Sequence, residues 1–596
     1  LHVKDFGAVG DGITDDSQAI QAAIDKACQR ASAADPGAGV EAAGAVDFTG
    51  GIYRVQGVDI PAPCRLFSED HAVLLPAPPD EGFSEPPIAY DTYGDIDDDA
   101  PSDQPYYMFR SVSDRVIFER LRFIGTQAVD ANTRAFPKHM VLIDEKTEMV
   151  EIEEGVFDAQ KFPARHCAVM DCFFEKGRHQ VRGIRCEDLY IVGNKCTGTT
   201  AIAPNIEPSW PIAITGGMRN YLLNNTCWNN DGDGLKIGTD EGSVTDTLIV
   251  ANNICYNNAR DGCDINMAAG KRILVQSNQF YSNYASQLEI KKGRESVLDD
   301  EAARVRYVLV DGNNFVTDYA AEFTADGATG TFDTPFPFYF GRKTYTSGED
   351  DVGENVIAYG YEVPSGDVLL VREKVDGSWV TLAYGDDYTV NIGNQTITLD
   401  GGRTVSTDGQ FRIKWGGHPD ITVTIDGEEK LYGADQDYIV EGAEPWGVIT
   451  RQPFKVIFND GHVPLDGETI RVSRKINTVN LQNNSEVQAW EEAVISNNLI
   501  AYDGVTVDGG GGHGIDLTDR TSRLTIAGNR FVNVPDGIKF DLPIEEVAIF
   551  SNSFEGYACF QMFSTSAIGY VSIENNRFVY SNRAIQVSEF DGGGEL

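Results

Sequence analysis

The feature that most constrains the fold is a repeat centred on an asparagine. The pattern Asn-x-(Phe/Cys/Leu), preceded by alternating apolar residues, recurs at intervals of 23 to 35 residues. Its asparagines are Asn194, Asn225, Asn253, Asn278 and Asn313, then Asn497, Asn529, Asn552 and Asn576. A recurring unit of this size is typical of a solenoid, in which each coil buries its apolar face against its neighbours. The asparagines are interpreted as stacked turn residues rather than as ligands.

Each repeat contains short strands, as in Leu248-Ile249-Val250 before one asparagine and Gly262-Cys263-Asp264-Ile265 after it. A β-propeller would need repeats near 40 residues, roughly, with four strands in each. The repeat therefore predicts an all-β fold, a parallel β-helix.

The N-terminus predicts a cap for the first coil. A strand and a glycine-rich turn are expected over residues 3–12, followed by N-cap oxygens at Thr14, Asp15 and Asp16. A helix with one apolar face should then cover the open end and hide its edge strands. The residues of that face are Ile20, Ala23, Ile24 and Ala27.

The same opening carries a resemblance to a known superfamily. Residues 3–12 (VKDFGAVGDG), 14–16 (TDD) and 19–24 (AIQAAI) resemble the start of pectate-lyase-like β-helix proteins. That superfamily includes polygalacturonases, alginate epimerases and phage tailspikes. The resemblance implies a right-handed parallel β-helix, and it says less about activity because a fold does not fix a function.

Between Asn313 and Asn497 the repeat is interrupted by a region rich in Thr, Asp, Gly and Tyr, which predicts an inserted antiparallel β region with two similar halves. Residues 335–338 (PFPF), 385–390 (GDDYTV) and 471–474 (RVSR) resemble motifs of small β-modules in phage tail fibres, which favours a viral particle protein. The expected domains are 1–75 (cap and first coils), 76–324 (β-helix), 325–480 (insertion) and 481–596 (C-terminal coils).

Composition limits the partners. The formal net charge of −43 argues against nucleic acid and anionic membranes, because a negative field repels phosphate. No apolar run is long enough to span a bilayer, so no membrane insertion is expected. Cys196, Cys227 and Cys255 each follow a repeat asparagine by two residues and are predicted to be reduced and buried, since free cysteine packs as a small hydrophobe.

Three coils align without a gap, at residues 225–237, 253–265 and 278–290. The alignment places Lys236, Asp264 and Glu289 at one outward position, and Asp233, Asp261 and Ser286 three residues earlier. Adjacent coils lie about 4.8 Å apart, so these carboxylates fall near the spacings of glycosidases. We expect Asp264 or Glu289 to be the general acid and Asp233 or Asp261 the general base, with no metal and no cofactor.

Substrate contacts are expected from cations and aromatic residues near the same coils. They are Lys236, Arg260, Trp210, Trp228, Tyr256, Tyr281 and Tyr284. Residues 230–234 (NDGDG) resemble the Asn-x-Asp-Gly motif of polygalacturonases, but the second coil has Arg260-Asp261 in place of two adjacent aspartates, so that identity is not expected.

The function expected from sequence is that of a viral tailspike-like endoglycosidase acting on a host cell-surface polysaccharide. The resemblance further implies a homotrimer on the virion tail, with a secreted bacterial enzyme as the alternative location. A lyase or epimerase of the same fold stays open; it would need a base such as Lys236, Lys291 or His513, and the net charge opposes a polyuronate. A glycan-binding adhesin without turnover also stays open.

Overall fold

A computed structural model of the chain defines the fold. It describes residues 1–33, 44–77, 107–126, 137–153, 156–199, 209–238, 246–267, 272–292, 305–318, 320–337, 340–346, 356–358, 369–375, 378–382, 387–391, 396–399, 410–416, 421–431, 436–442, 453–459, 461–474, 477–482, 490–503, 512–517, 521–540, 544–555, 560–563, 570–579 and 585–588.

Three long parallel sheets of 13, 14 and 13 strands form the body of the protein. We call them sheets I, II and III in the order in which a complete coil visits them. Each strand pairs with its equivalent in the next coil, which confirms the predicted parallel β-helix. The apolar residues that point inward from the three sheets form one continuous core.

The strands of sheet I are Gly44–Asp47, Cys64–Phe67, Ile117–Glu119, Ala168–Met170, Tyr190–Val192, Asn220–Leu223, Leu248–Ala251, Arg272–Gln276, Val305–Asp311, Trp490–Ser496, Thr521–Ala527, Ile544–Phe550 and Tyr570–Glu574. Those of sheet II are Asp11–Asp15, Ile52–Val55, Val73–Pro76, Arg122–Ile124, Phe173–Glu175, Lys195–Thr197, Thr226–Trp228, Ile254–Tyr256, Gln279–Tyr281, Asn314–Asp318, Leu499–Asp503, Arg530–Val532, Ser553–Glu555 and Arg577–Val579. Those of sheet III are Val58–Ile60, Tyr107–Ser111, His139–Ile143, His179–Ile184, Ile212–Thr215, Leu235–Gly238, Cys263–Met267, Leu288–Lys292, Val479–Gln482, His513–Leu517, Asp536–Phe540, Phe560–Phe563 and Ile585–Ser588.

The turn between sheets I and II explains the asparagine repeat. In one coil Asn252 adopts a left-handed conformation (φ 57°), and Asn253 then points inward and donates from Nδ2 to Asn278 Oδ1 at 3.0 Å. Equivalent asparagines in successive coils bond in the same way. They are Asn194, Asn225, Asn253, Asn278, Asn313, Asn498, Asn529, Asn552 and Asn576. We call this set the asparagine ladder.

The prediction of Asn497 as a repeat asparagine is wrong by one residue. Asn497 holds the left-handed position (φ 55°), and Asn498 enters the ladder. The turn uses a left-handed residue followed by a buried one, so the sequence Asn497-Asn498 is ambiguous until the hydrogen bonds are known.

The inward cysteines are placed as expected. Cys196, Cys227 and Cys255 lie side by side in sheet II, and all three are buried with free thiols.

The N-terminal cap is a helix at Ser17–Ala33. The side chains of Ile20, Ala23 and Ile24 are fully buried, which confirms the predicted apolar face. The strand expected at Val3 is instead a short 3-10 helix, Val3–Phe6, and the first strand begins only at Asp11. In the described part of the chain, no helix combines the length and the apolar character that crossing a bilayer requires.

A hairpin and an insertion depart from the coils. The hairpin joins Lys146–Glu153 to Val156–Phe162 and was not expected from sequence. The insertion contains four small antiparallel sheets, as predicted for this region. Their strands, grouped by sheet, are Ala320–Thr324, Thr469–Arg474, Ile421–Ile425 and Glu428–Glu429; Thr331–Pro337, Pro453–Phe458 and Tyr438–Gly442; Phe340–Thr346, Gln410–Gly416, Leu369–Val375 and Ser378–Thr381; Val356–Ala358, Thr396–Leu399 and Tyr388–Asn391.

The two halves of the insertion are nested rather than consecutive. Strands between 320 and 337 pair with strands between 421 and 474, and the sheets at 340–416 lie between them in sequence. The predicted boundary after residue 324 assigns Ala320–Thr324 to the β-helix, although this strand pairs within the insertion. The boundary after residue 480 divides the strand Val479–Gln482, which pairs within sheet III. The other predicted domain limits stay predictions.

Candidate functional site

Four acids converge on the outward face of sheet III. In the register of three neighbouring strands, Lys236 lies beside Asp264 and Asp264 lies beside Glu289, which is the alignment that the sequence predicted. Their side chains alternate with inward residues such as Cys263 and Ile265, which are fully buried in the core.

Asp233 and Asp261 lie where the chain enters these strands. Asp233 Oδ1 accepts the backbone N–H of Asp261 at 3.1 Å, and Asp261 Oδ1 accepts that of Ser286 at 2.8 Å. Each carboxylate thus ties its own coil to the next. Gly262 permits this approach, since a Cβ there would meet the Gln287 carbonyl oxygen at 2.5 Å.

We call Asp233, Asp261, Asp264 and Glu289 the carboxylate cluster. Asp233 and Asp264 are fully buried, whereas 3% of Asp261 and 9% of Glu289 are exposed. Buried carboxylates require partners, and two lysines supply them.

Lys236 and Lys291 form the rim over these acids. The Lys236 ammonium contacts Asp264 and lies 3.8 Å from Asp233 Oδ2. The Lys291 ammonium contacts Glu289 and lies 3.7 Å from Asp264 Oδ2. Both lysine side chains keep partial exposure, 16% and 29%, so they are the members through which a ligand would approach.

The acids titrate differently although they lie close together. Burial, with the charges of Glu289 and Asp233, raises the pKa of Asp261 well above its ordinary value. Burial and the Asp233 charge also raise the pKa of Asp264, against the opposing effect of Lys236. For Asp233, burial raises the pKa, but the charges of Lys236 and Arg260 outweigh it, and the net pKa is lowered. The pKa of one carboxyl group is therefore lowered, while the pKa values of its two neighbours are raised.

The cluster has the donors for a cation, and a lysine ammonium already lies against them. One carboxylate oxygen from each of Asp233, Asp261 and Asp264 lies within 4.8 Å of the others. The Lys236 ammonium lies against two of these three carboxylates, Asp233 and Asp264. The expectation of a site without metal stays a prediction.

The predicted aromatic contacts separate into two places. Trp210 lies one coil before Asp233, with the Lys236 ammonium 5.6 Å from its ring centroid. Tyr284 lies two residues before Ser286, where its N–H donates to the Asn258 carbonyl at 2.9 Å. These two residues flank the carboxylate cluster.

Trp228, Tyr256 and Tyr281 are instead on sheet II, so the prediction that they share the face of the acids is wrong. A second turn, with buried asparagines Asn230 and Asn258, separates their strands from those of sheet III. The three rings stack on one another almost parallel, which leaves little free ring face for a sugar.

The polar row continues across the insertion, which sequence analysis missed. Glu289 lies beside Asn480, Asn480 beside Asp516, and Asp516 beside Lys539. His513 lies on the same stretch, and burial lowers its pKa to about 4. The signal was present in Gly514-Ile515-Asp516-Leu517, which repeats Gly262-Cys263-Asp264-Ile265, but the interruption hid the coil count.

Two family models match parts of the chain. Residues 158–302 match the model described as "Right handed beta helix region". Residues 1–58 match "Rhamnogalacturonase A/epimerase, pectate lyase-like". The two matches support the resemblance to pectate-lyase-like right-handed parallel β-helices that the opening residues carry.

Comparison with individual proteins adds solved structures at low identity. The chain is similar to the A-module of the mannuronan C-5 epimerase AlgE4 of Azotobacter vinelandii, with 13% identity, a TM-score of 0.39, and coverage of 98% of this chain and 97% of that one. It is similar to the surface adhesin PfbA of Streptococcus pneumoniae, with 13% identity, a TM-score of 0.41, and coverage of 99% and 93%. It is also similar to the tailspike protein of E. coli bacteriophage HK620 in complex with a hexasaccharide, with 8% identity, a TM-score of 0.37, and coverage of 99% and 66%. No curated protein matches the sequence.

Proposed function

We propose that this protein binds a host cell-surface polysaccharide along sheet III and cleaves it by glycosidic hydrolysis. The observation that carries the proposal is the carboxylate cluster, in which neighbouring acids have pKa values shifted in opposite directions. Such a separation is what distinguishes an acid from a base in one site.

The directions of the pKa shifts support a division of roles. Asp233 stays ionised and is suited to activate water as a general base. The pKa values of Asp264 and Asp261 are raised, which suits these groups to protonate the leaving oxygen. Asp261, considered as a base from sequence, is therefore reassigned to the acid side, because burial between other carboxylates disfavours its charge. Glu289, bound by Lys291, closes the cluster on the side of the next coil.

Elimination is less well supported. The Asp233 and Asp264 charges outweigh burial and raise the pKa of Lys236, and the Asp264 and Glu289 charges do the same for Lys291. Both lysines thus stay protonated and cannot act as bases. His513 is neutral at pH 7 but belongs to a coil well beyond Asp261.

The test is product analysis with separate Asp233→Asn, Asp264→Asn and Glu289→Gln variants on host surface polysaccharides. New reducing ends indicate hydrolysis, unsaturated uronates that absorb in the ultraviolet indicate elimination, and neither indicates an adhesin. Loss of an acid or base should lower the rate about 10²–10⁴-fold. Glu492→Gln, on sheet I, is the charge-matched control. Parent-like cleavage by all three site variants would refute the assignment.

The biological setting is part of the proposal. The resemblance of the insertion to tail-fibre modules supports a tailspike on a virion tail, assembled as a homotrimer. Sheet faces of this length can associate along the long axis. The insertion would then lie beside the groove as a wall or as a subunit contact.

A further inference from the structure

The outward face of sheet III also carries a cluster of buried donors on the N-terminal side of the acids. His179 and Arg182 hold the positions that Asp233 and Lys236 hold two coils later, because Val181, Ile212 and Leu235 are in register. Trp210 lies in the coil between them. We call His179, Arg182 and Trp210 the donor cluster.

Arg182 is the unusual member. It is 9% exposed, and its register neighbours are Leu142 and Ala213, neither of which can neutralise it. Its guanidinium donates to Thr215 Oγ1 at 3.4 Å, and its Nε is buried with no acceptor. Among the described residues no carboxylate pairs with it, in a chain that contains 91 acidic residues. An unpaired buried charge is costly to keep.

His179 and Trp210 add two further donors. The backbone N–H of Trp210 donates to His179 Nδ1 at 3.2 Å, so the ring proton of the neutral imidazole is on Nε2. That Nε2 and the indole Nε1 are buried, and neither has an acceptor in the described structure. The two rings stack with centroids 5.2 Å apart, which fixes both.

We infer that the donor cluster is a subsite for a carboxylate-bearing sugar of the polysaccharide chain. The inference rests on the proposed function, since it names the substrate class of the same groove. A guanidinium binds a carboxylate through two parallel hydrogen bonds. The ring N–H groups of His179 and Trp210 would donate to other oxygens of the same sugar. Although the whole protein is acidic, the charges of Arg178 and Arg182 also act on His179, so the local field favours an anion.

His179 lies two coil spacings from Asp233, roughly 10 Å, and Trp210 lies one coil from it. A sugar bound there belongs to the same polysaccharide chain as the sugar at the carboxylate cluster, so its acid group positions the chain for cleavage. Arg182 is thus a binding residue and not a catalytic one.

Binding is tested with sodium glucuronate on the full chain, with glucose as the neutral counterpart and sodium sulfate at equal ionic strength. Glucuronate should raise the melting temperature of the parent, since a ligand that binds only the folded state stabilises it. Arg182→Gln should weaken the apparent affinity about tenfold or more. Arg272→Gln removes an equal charge from sheet I and should respond like the parent.

Several outcomes would overturn the inference. They are no stabilisation by glucuronate, equal stabilisation by glucose, or an unchanged response in Arg182→Gln. Equal stabilisation by sulfate would mean an adventitious ion only. Because a residue kept for binding is not needed for folding, Arg182→Met should melt no lower than the parent without ligand; a large fall would assign Arg182 a structural role instead. Asp233→Asn should keep the glucuronate response, so a failure of the cleavage proposal is distinguishable from a failure of the subsite.

Discussion

At the residue scale, the site shows how position alone makes equal side chains unequal. Asp233 and Asp261 occupy the same place in consecutive coils, and each accepts a backbone N–H from the next coil. Asp233 lies against Lys236, whereas Asp261 lies among other carboxylates. The pKa of the same chemical group is therefore lowered in one coil and raised in the next.

This difference predicts a pH-dependent effect of Asp261→Asn on stability. A raised folded-state pKa stabilises the protein below the ordinary carboxyl pKa, and that contribution is lost as pH rises through the folded-state pKa. Asparagine resembles the protonated acid, so it avoids the loss. At low pH the variant and the parent should have the same free energy of unfolding. Between the ordinary carboxyl pKa and the folded-state pKa of Asp261, the variant should become more stable than the parent by about 1.4 kcal/mol per pH unit. Denaturant unfolding at several pH values measures the difference in free energy of unfolding between the variant and the parent. A difference that does not change with pH would contradict the raised pKa of Asp261.

Lys236→Met should damage both stability and the pH profile of cleavage. It removes the ammonium shared by Asp264 and Asp233, and breaking a buried pair costs about 3–5 kcal/mol. The pKa of Asp233 should then rise, which moves the acid limb of the cleavage profile to higher pH. Lys291→Met, with a more exposed side chain, is the milder comparison. An acid limb that does not move would remove Asp233 from the role of base.

At the element scale, the asparagine ladder is the main polar support inside the coils. Asn253 Nδ2 donates to the Leu222 carbonyl at 2.8 Å and to Asn278 Oδ1 at 3.0 Å. Its Oδ1 accepts the backbone N–H and the Nδ2 of Asn225. Each ladder residue thus satisfies buried backbone groups that the turn leaves without partners.

Asn253→Ala should lower the free energy of unfolding by at least about 3 kcal/mol, because several buried groups lose their partners together. Asn576→Ala, at the last rung of the ladder and half-buried, should cost clearly less, since water can replace the amide there. Chemical denaturation of both variants provides the comparison. Equal losses would mean that the ladder is not stabilised by burial of its bonds.

At the scale of the whole molecule, the coils continue through the insertion without losing register. Leu288 pairs with Val479 and Phe315 with Ile500. Thr317 and Thr478 hydrogen-bond at 3.0 Å, so the two ends of the insertion lie next to each other. The part of the insertion formed by strands within residues 320–337 and 421–474 has its own apolar core.

Replacing residues 320–474 by a short Gly/Ser linker should therefore leave the β-helix folded. Closing a short loop between adjacent ends adds little entropic cost, and the sheets keep their neighbours. Cooperative melting and an unchanged circular dichroism signature per coil residue are expected. Collapse of the coils would show that the insertion holds them together.

The proposed trimer has its own test. Light scattering at micromolar concentration should give three times the chain mass, and a monomer mass would count against it. The insertion deletion, measured alongside, shows whether the insertion contributes to subunit contact.

The sequence by itself determined the fold and most of the carboxylate cluster. Both the fold and the cluster follow from the strict periodicity of the coils, because residues one period apart must lie side by side in a parallel sheet. That is why Lys236, Asp264 and Glu289 could be aligned from spacing alone. The cap helix followed from its apolar face in the same way.

Only the tertiary structure decided how the coil is divided into faces. Two left-handed turns per coil send Trp228 to sheet II and Asp264 to sheet III, and no period distinguishes these directions. The tertiary structure also revealed that the polar row of sheet III continues past the insertion, because Glu289 and Asn480 are distant in sequence but adjacent in space. The titration of Asp261 and the unpaired charge of Arg182 were equally hidden, since both depend on burial and on which neighbours each coil brings into contact.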